Sequence, residues 1–206
     1  RKALAIAPES GEFLRATISV HESREEWDDV VHYRRRLIDL VETDEERFQL
    51  LISVGEILVE GLSNYRSAAE SYHRALEIQP ESKLVLGRLY ELHQQDQNWE
   101  GAIDALTQLA EMETEGPRKA KYWCGVATIQ QKFMDDRFTA VRSFDRALDA
   151  DPGLLEAFEA IDHILTEDRD YERQDRYYRK MLKRAAEVGL DEKLVFSLAK
   201  NLGEIN

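Results

Sequence analysis

The sequence repeats itself at an offset of 72 residues, and that offset limits the fold more than any single motif does. Ala3, Ala75 and Ala147 are spaced by 72, and so are Pro8, Pro80 and Pro152. The stretch 3–10 aligns with 75–82, Trp27 with Trp99 and Tyr171, and His21 with His93. Ala68 likewise matches Ala140, and Tyr72 matches Phe144. A chain made of one unit copied end to end stacks each copy on its neighbours. It builds an extended surface for holding partners more readily than a closed pocket for chemistry.

Composition narrows the choice. The 206 residues are 43% hydrophobic and 33% charged, enough apolar material for an ordered protein. No run approaches the roughly 18 apolar residues of a transmembrane helix, so membrane insertion is not expected. With only 10 glycines and 4 prolines, long helices are favoured over a hairpin-rich β fold. The net charge of −13 repels phosphate backbones, which argues against nucleic acid as a partner. The run Arg34-Arg35-Arg36 lies among acids in a helix and reads as a solvated face. The single cysteine, Cys124, rules out an internal disulfide. No signal-peptide pattern opens the chain, and a soluble, cytoplasmic setting is expected ahead of export.

Apolar residues recur at three- and four-residue spacing almost throughout, the period of a helix. Leu51, Val54, Leu58 and Leu62 make one stripe, and Ala68, Tyr72, Ala75 and Leu76 another. This pattern predicts helices over 9–23, 25–42, 45–61, 65–79, 82–95, 99–114, 118–134, 137–150, 154–167, 171–187 and 191–205. Asn64, Asn98, Asp136 and Asp170 each stand at the start of the second helix of a pair. There a side-chain oxygen accepts the free N–H groups of the first turn, worth about 1 kcal/mol each. Glu26 occupies the same place in the first pair and is a weaker cap. The prolines at 8, 80 and 152 fall between helices, where their missing N–H costs least.

Each 72-residue period holds two helix pairs, and the better unit of each shows a known pattern. One unit carries Val54-Gly55, then Ala68, Tyr72, Ala75 and Pro80; the other carries Trp123, Val126-Ala127, then Ala140, Phe144, Ala147 and Pro152. Both resemble the tetratricopeptide repeat (TPR) in the form found in bacterial multi-repeat arrays, with one extra residue at the Leu62-Ser63 and Asp135-Asp136 turns. The alternate units keep the aromatic that opens the second helix (Trp27, Trp99, Tyr171). They lose the small residue kept at Ala102, having Val30 and Gln174 instead.

The resemblance implies an all-α fold, a right-handed α-solenoid of antiparallel helix pairs. It divides the chain into a partial helix at 1–7, pairs at 9–42, 44–80, 81–115, 117–152 and 153–188, and an unpaired opening helix at 191–206. Both ends match only part of a unit, so a longer parent array is expected. Small residues such as Ala68 and Ala140 let helices approach closely, and Tyr72, Phe144, Trp99 and Tyr171 are expected to fill the wedge between pairs.

A search for chemistry returns little. His21 and His93 share one repeat position, which points to a structural duty. No His-Glu-x-x-His, paired cysteine or phosphate loop occurs, so no catalytic residue, cofactor or metal site is assigned. Cys124 beside Trp123 reads as a buried small hydrophobe. The resemblance implies that first helices line a concave face that holds extended peptides. By register this face presents Glu12, Arg15, Ser19 and Glu22, then Gln49, Ile52 and Glu56, then Leu84, Gly87, Glu91 and Gln94. It continues through Lys121, Cys124, Thr128 and Gln131 to Glu156, Glu159, His163 and Glu167. The paired lysines and asparagines with which chaperone-binding relatives clamp a terminal carboxylate are absent from these positions.

The groove has a surplus of carboxylates, which either solubilises a long helical surface or selects a partner rich in Lys and Arg. A basic cluster, Arg169, Arg173, Arg176, Lys180, Lys183 and Arg184, is expected to pair with nearby acids such as Glu172 and Asp175. The function expected is a non-enzymatic scaffold for a protein or peptide partner. The alternative is a structural spacer that self-associates through exposed terminal helices, with Val195, Phe196, Leu198 and Leu202 seeking a partner.

Overall fold

The computed structural model of the chain describes residues 10–205; the expected partial helix at 1–7 lies outside them. Among the described residues eleven α-helices follow one another without a strand. They are α1 (Gly11–Glu22), α2 (Trp27–Leu40), α3 (Asp44–Glu60), α4 (Tyr65–Ile78), α5 (Lys83–Gln95), α6 (Trp99–Met112), α7 (Gly116–Lys132), α8 (Arg137–Ala150), α9 (Leu155–Glu167), α10 (Tyr171–Val188) and α11 (Glu192–Ile205). The fold is an all-α array of helix pairs, as the spacing of apolar residues predicts.

The short-range chemistry explains where the helices begin. Asn64, Asn98, Asp136 and Asp170 accept the amide N–H of Ser67, Gly101, Thr139 and Arg173, and so cap α4, α6, α8 and α10. Ser10, Thr43 and Ser82 do the same for α1, α3 and α5. Glu26 caps nothing: its carboxylate turns to His21 Nδ1 at 2.6 Å. Immediately before each cap of α2, α4, α6, α8 and α10 stands a residue with left-handed backbone: Glu25, Ser63, Gln97, Asp135 and Arg169, with φ between 51° and 58°. None is glycine, so each turn carries backbone strain of about 1 kcal/mol. The α7 helix starts two residues earlier than expected because Pro117 fits its first turn, where a proline costs no hydrogen bond. A β-carbon at Gly116 would lie 2.5 Å from the Ala150 carbonyl oxygen, so only glycine permits that approach.

The chain forms two compact units that divide between Gln97 and Asn98. In the first, each of α1 to α5 packs on the next, and Leu14, Ile18, Val30, Leu37 and Val41 form a core flanked by Phe13, Trp27 and Tyr33. In the second, α6 to α11 pack in the same sequential way. Each helix buries one stripe: Ala68, Ser71, Tyr72 and Ala75 on α4, and Ala140, Ser143, Phe144 and Ala147 on α8. The alanines of both stripes have no exposed surface, which is what lets the neighbouring helix approach. Gln174, at the alanine position of its unit, is also buried. It donates to Asp162 (2.6 Å) and Thr166 (2.8 Å), which removes the cost of burying an amide.

Three expectations are corrected. Tyr72 and Phe144 are buried wedges, but Tyr171 is 55% exposed, and Trp99 is half-exposed and stacks on Phe133 instead. Of the four apolar residues expected to be exposed on α11, Phe196 is; Leu198 is buried and Val195 and Leu202 are half-buried, because α11 packs on α10. In the basic cluster, Arg176 pairs with Glu172 as expected, and Asp175 is taken by Arg179. Lys180 and Arg184 reach instead to α8. Lys180 meets Asp145 at 2.6 Å, and Arg184, buried, bonds Asp145 at 2.7 Å and also Asp149.

Candidate interaction surface

Side chains of the first helices reach solvent in both units, and ion pairs join neighbouring first helices within the first unit. Arg15 on α1 meets Glu46 on α3 at 2.5 Å. Arg88 on α5 meets Glu56 on α3 at 3.5 Å and Glu91 on its own helix at 3.3 Å. Glu22 is tied to Arg34 of α2. Gln94 is exposed, but Ile52 is buried, so it belongs to the core and not to the surface assigned to it.

A small cavity of about 50 Å³ lies where Glu56, Glu60, Tyr72, Arg88, Glu91 and Gln95 converge. Its wall is the Tyr72 ring, whose phenol is pushed up to about 12 by burial and then by the Glu56 charge. Arg88 is held charged by Glu91, which donates nothing and accepts the guanidinium N–H. Three carboxylates against one arginine leave this corner of the first unit net negative.

In the second unit the assigned side chains stand on α7 and α9, close enough for the Glu156 charge to act on Cys124. Lys121, Glu156, Glu159 and His163 are exposed, and Cys124, Thr128 and Gln131 are half-buried. Burial, with the Glu156 charge next, raises the Cys124 thiol to about 11, so it stays protonated and packs as a small hydrophobe. Thr128 donates its hydroxyl to the Cys124 carbonyl at 2.8 Å and so presents no free donor. Glu167 differs from its neighbours: Arg137 at the start of α8 takes it at 3.0 Å, with His163 at 3.8 Å. Glu156 and Glu159 make no ion pair among the described residues and carry the uncompensated charge of this face.

Sequence reasoning assigned Arg15 to this face but missed Arg88, which links α5 to α3. Arg88 was legible as the i−3 neighbour of Glu91, whereas its reach to Glu56 depends on how α3 and α5 stack. It also missed Glu113, a buried carboxylate that accepts the amides of Thr114 and Glu115 and closes the turn between α6 and α7. Among the described residues one group brings metal-type ligands together: His21, Glu26 and Asp29, with ligand atoms within 4.8 Å of one another. The His21 ring stacks on Tyr33 and takes Glu26 in a hydrogen bond, which accounts for the arrangement as a brace for the turn.

No family model matches the chain, and no curated protein matches it in sequence. Solved structures do. A tetratricopeptide repeat protein from Parabacteroides merdae is 13% identical over 95% of this chain and 73% of its own, with a TM-score of 0.51. The C-terminal part of a TPR repeat-containing protein from Cytophaga hutchinsonii is 14% identical over 100% of this chain and 87% of its own, with a TM-score of 0.50. A MamA protein matches 90% of this chain and 97% of its own at 14% identity and a TM-score of 0.49. At these identities the likeness speaks to the fold: the chain has the helical-repeat fold of tetratricopeptide proteins.

Proposed function

We propose that this protein is a non-enzymatic interaction scaffold that holds an extended peptide or partner segment against its first helices, and that the partner carries Lys or Arg. The observation that carries the reading is the pair Glu156 and Glu159, exposed, adjacent on one helix face and without an ion pair among the described residues. Of the other residues of the face, Arg15, Glu22, Glu56, Glu91, His163 and Glu167 lie in ion pairs that a partner's charge can exchange; Gln94 and Gln131 offer amides and Lys121 an ammonium donor. Long-range attraction of this kind sets association rate and partner choice more than final affinity.

The test is capture of partners by the intact chain in rising salt, repeated with Glu156→Lys/Glu159→Lys. Binding that falls about tenfold or more between 50 and 300 mM salt, and is lost in the double variant, supports the reading. Capture indifferent to both removes it.

A second reading rests on Phe196, which is 73% exposed on α11. A large exposed aromatic on the last helix suits end-to-end self-association, the spacer function. Sedimentation velocity separates the two: a concentration-dependent dimer that Phe196→Glu abolishes favours self-association, and a monomer at all concentrations favours the scaffold.

A further inference from the structure

The internal repeat supplies its own control, because positions that the fold requires are filled alike in both copies and positions that differ are free for other duties. Phe133 and Gly61 are such a pair, 72 residues apart, each closing a first helix. In the earlier copy Trp27 lies directly on Gly61, where an added β-carbon would come within 2.9 Å of the indole. In the later copy Phe133 stands there and stacks on Trp99 with ring centroids 4.0 Å apart, leaving Phe133 53% exposed. The fold is therefore satisfied by glycine, and the exposed ring needs another explanation.

Met134 and Glu100, the chain neighbours of Phe133 and Trp99, line an open cleft of about 360 Å³ between α6, the end of α7 and the start of α8. Ile103 and Met134 line its apolar part, and Met134 is 41% exposed. Glu100, Asp104 and Asp136 stand around it. Glu100 and Asp104 are exposed and make no ion pair among the described residues; Asp136 keeps its charge while capping α8. Gln130, on the same wall, is held by the Ser143 hydroxyl at 2.7 Å, so that side of the cleft is fixed. Two of the three acids are particular to this copy: 72 residues earlier Asp104 and Asp136 are replaced by His32 and Asn64, whereas Glu100 matches Asp28.

We infer that this cleft docks a short segment of a partner protein that carries an apolar side chain flanked by Lys or Arg. The apolar side chain covers Ile103, Met134 and the Phe133 edge, and its basic neighbours meet Glu100 and Asp104. An adaptable thioether beside an aromatic suits an apolar anchor, and two unpaired carboxylates at the rim select positive charge. This goes beyond the scaffold reading, since none of the first-helix residues assigned to that face lines the cleft.

The experiment uses the full chain and a tryptophan-free helical peptide of leucine and lysine, with leucine–glutamate and glycine–lysine peptides as controls. Calorimetry reports binding, supported by the change in tryptophan fluorescence to which Trp99, the chain neighbour of Glu100, contributes. Two variants import the residues of the earlier copy, Phe133→Gly and Asp104→His, and circular dichroism checks that both keep their helix content. The expected result is binding of the leucine–lysine peptide alone, weakened at least fivefold by each variant; in the Glu156→Lys/Glu159→Lys background, which removes the acids of the first-helix face, the chain still binds one peptide and Phe133→Gly and Asp104→His still weaken it. Unchanged affinity in Phe133→Gly and Asp104→His overturns the inference. So does loss of binding only in the Glu156/Glu159 variant, which instead assigns the peptide to the first-helix face. A dimer of the chain that Phe133→Gly dissolves overturns it too, by making a second copy the occupant.

Discussion

Gly55 lies against the face of Tyr72 so closely that a β-carbon at position 55 would sit 2.7 Å from the ring's Cζ and 2.9 Å from Cδ1. The ring is 2% exposed and has nowhere to move, so the glycine of one helix and the aromatic of the next are a single packing decision. Gly55→Ala gains about 1 kcal/mol of helix propensity and loses more to overpacking, for a net cost of about 1–3 kcal/mol. Tyr72→Ala costs about 3–5 kcal/mol. In the Tyr72→Ala background the clash is gone, and Gly55→Ala becomes neutral or stabilising. Urea titration of the four chains measures this coupling; additive effects would show that the two positions pack independently.

Asp136 offers a pH test. The amide N–H of Thr139 bonds its carboxylate and holds it below its usual 3.8. A depressed folded-state value means that the stabilisation is present above the unfolded value and is lost as pH falls through the folded one. Asp136→Ala should therefore cost about 1 kcal/mol at pH 7 and equally at pH 5. The gap between the two chains should shrink below pH 3.8. Urea midpoints at pH 7, 5 and 3 check it.

Cys124, raised to about 11, is about one part in a thousand thiolate at pH 8. Alkylation of the native chain by iodoacetamide is expected to be at least tenfold slower than of the urea-unfolded chain, where the thiol has its free value. Equal rates would mean that the Glu156 side of α7 is open to reagent.

The last prediction contrasts two arginines of α10. Arg184 is buried and shares Asp145 with Lys180, whereas Arg176 and Glu172 are exposed at 71% and 88%. Asp145→Ala strands a buried guanidinium with the exposed Asp149 alone and should cost about 2 kcal/mol. Arg176→Ala should cost less than about 0.5 kcal/mol. Thermal or chemical denaturation of the two variants ranks them; an Asp145→Ala cost as small as that of Arg176→Ala would show that Asp145 contributes no more than a surface charge.

Local chemistry makes much of the architecture legible in the sequence. The alternation of apolar stripes placed all eleven helices, and Asn64, Asn98, Asp136 and Asp170 marked four of their starts because a cap is a three-residue matter. The left-handed turn residues were equally within reach: Glu25, Gln97 and Arg169 share the 72-residue offset, as do Ser63 and Asp135. None is glycine, the usual sign of that conformation, so composition does not mark these turns. What the sequence hid was long-range. Arg184 reaches Asp145 across 39 positions, past the nearer acid Asp175. Leu198 looked like a sticky exposed residue because its burial depends on α10 lying beside it.

The Arg184 contact has a further meaning for a chain made of near-copies. The hazard of such a sequence is mis-stacking, in which a helix settles one period out of place on a surface much like its own. Apolar stripes alone discriminate poorly against that error, since Tyr72 and Phe144 or Ala75 and Ala147 are close equivalents. The polar contact discriminates well. One period before Asp145 and Asp149 stand His73 and Glu77, so α10 docked on α4 would bury Arg184 against an imidazole with one acid left to meet both Arg184 and Lys180. The buried guanidinium thus acts as a register mark, written once in a sequence that otherwise repeats.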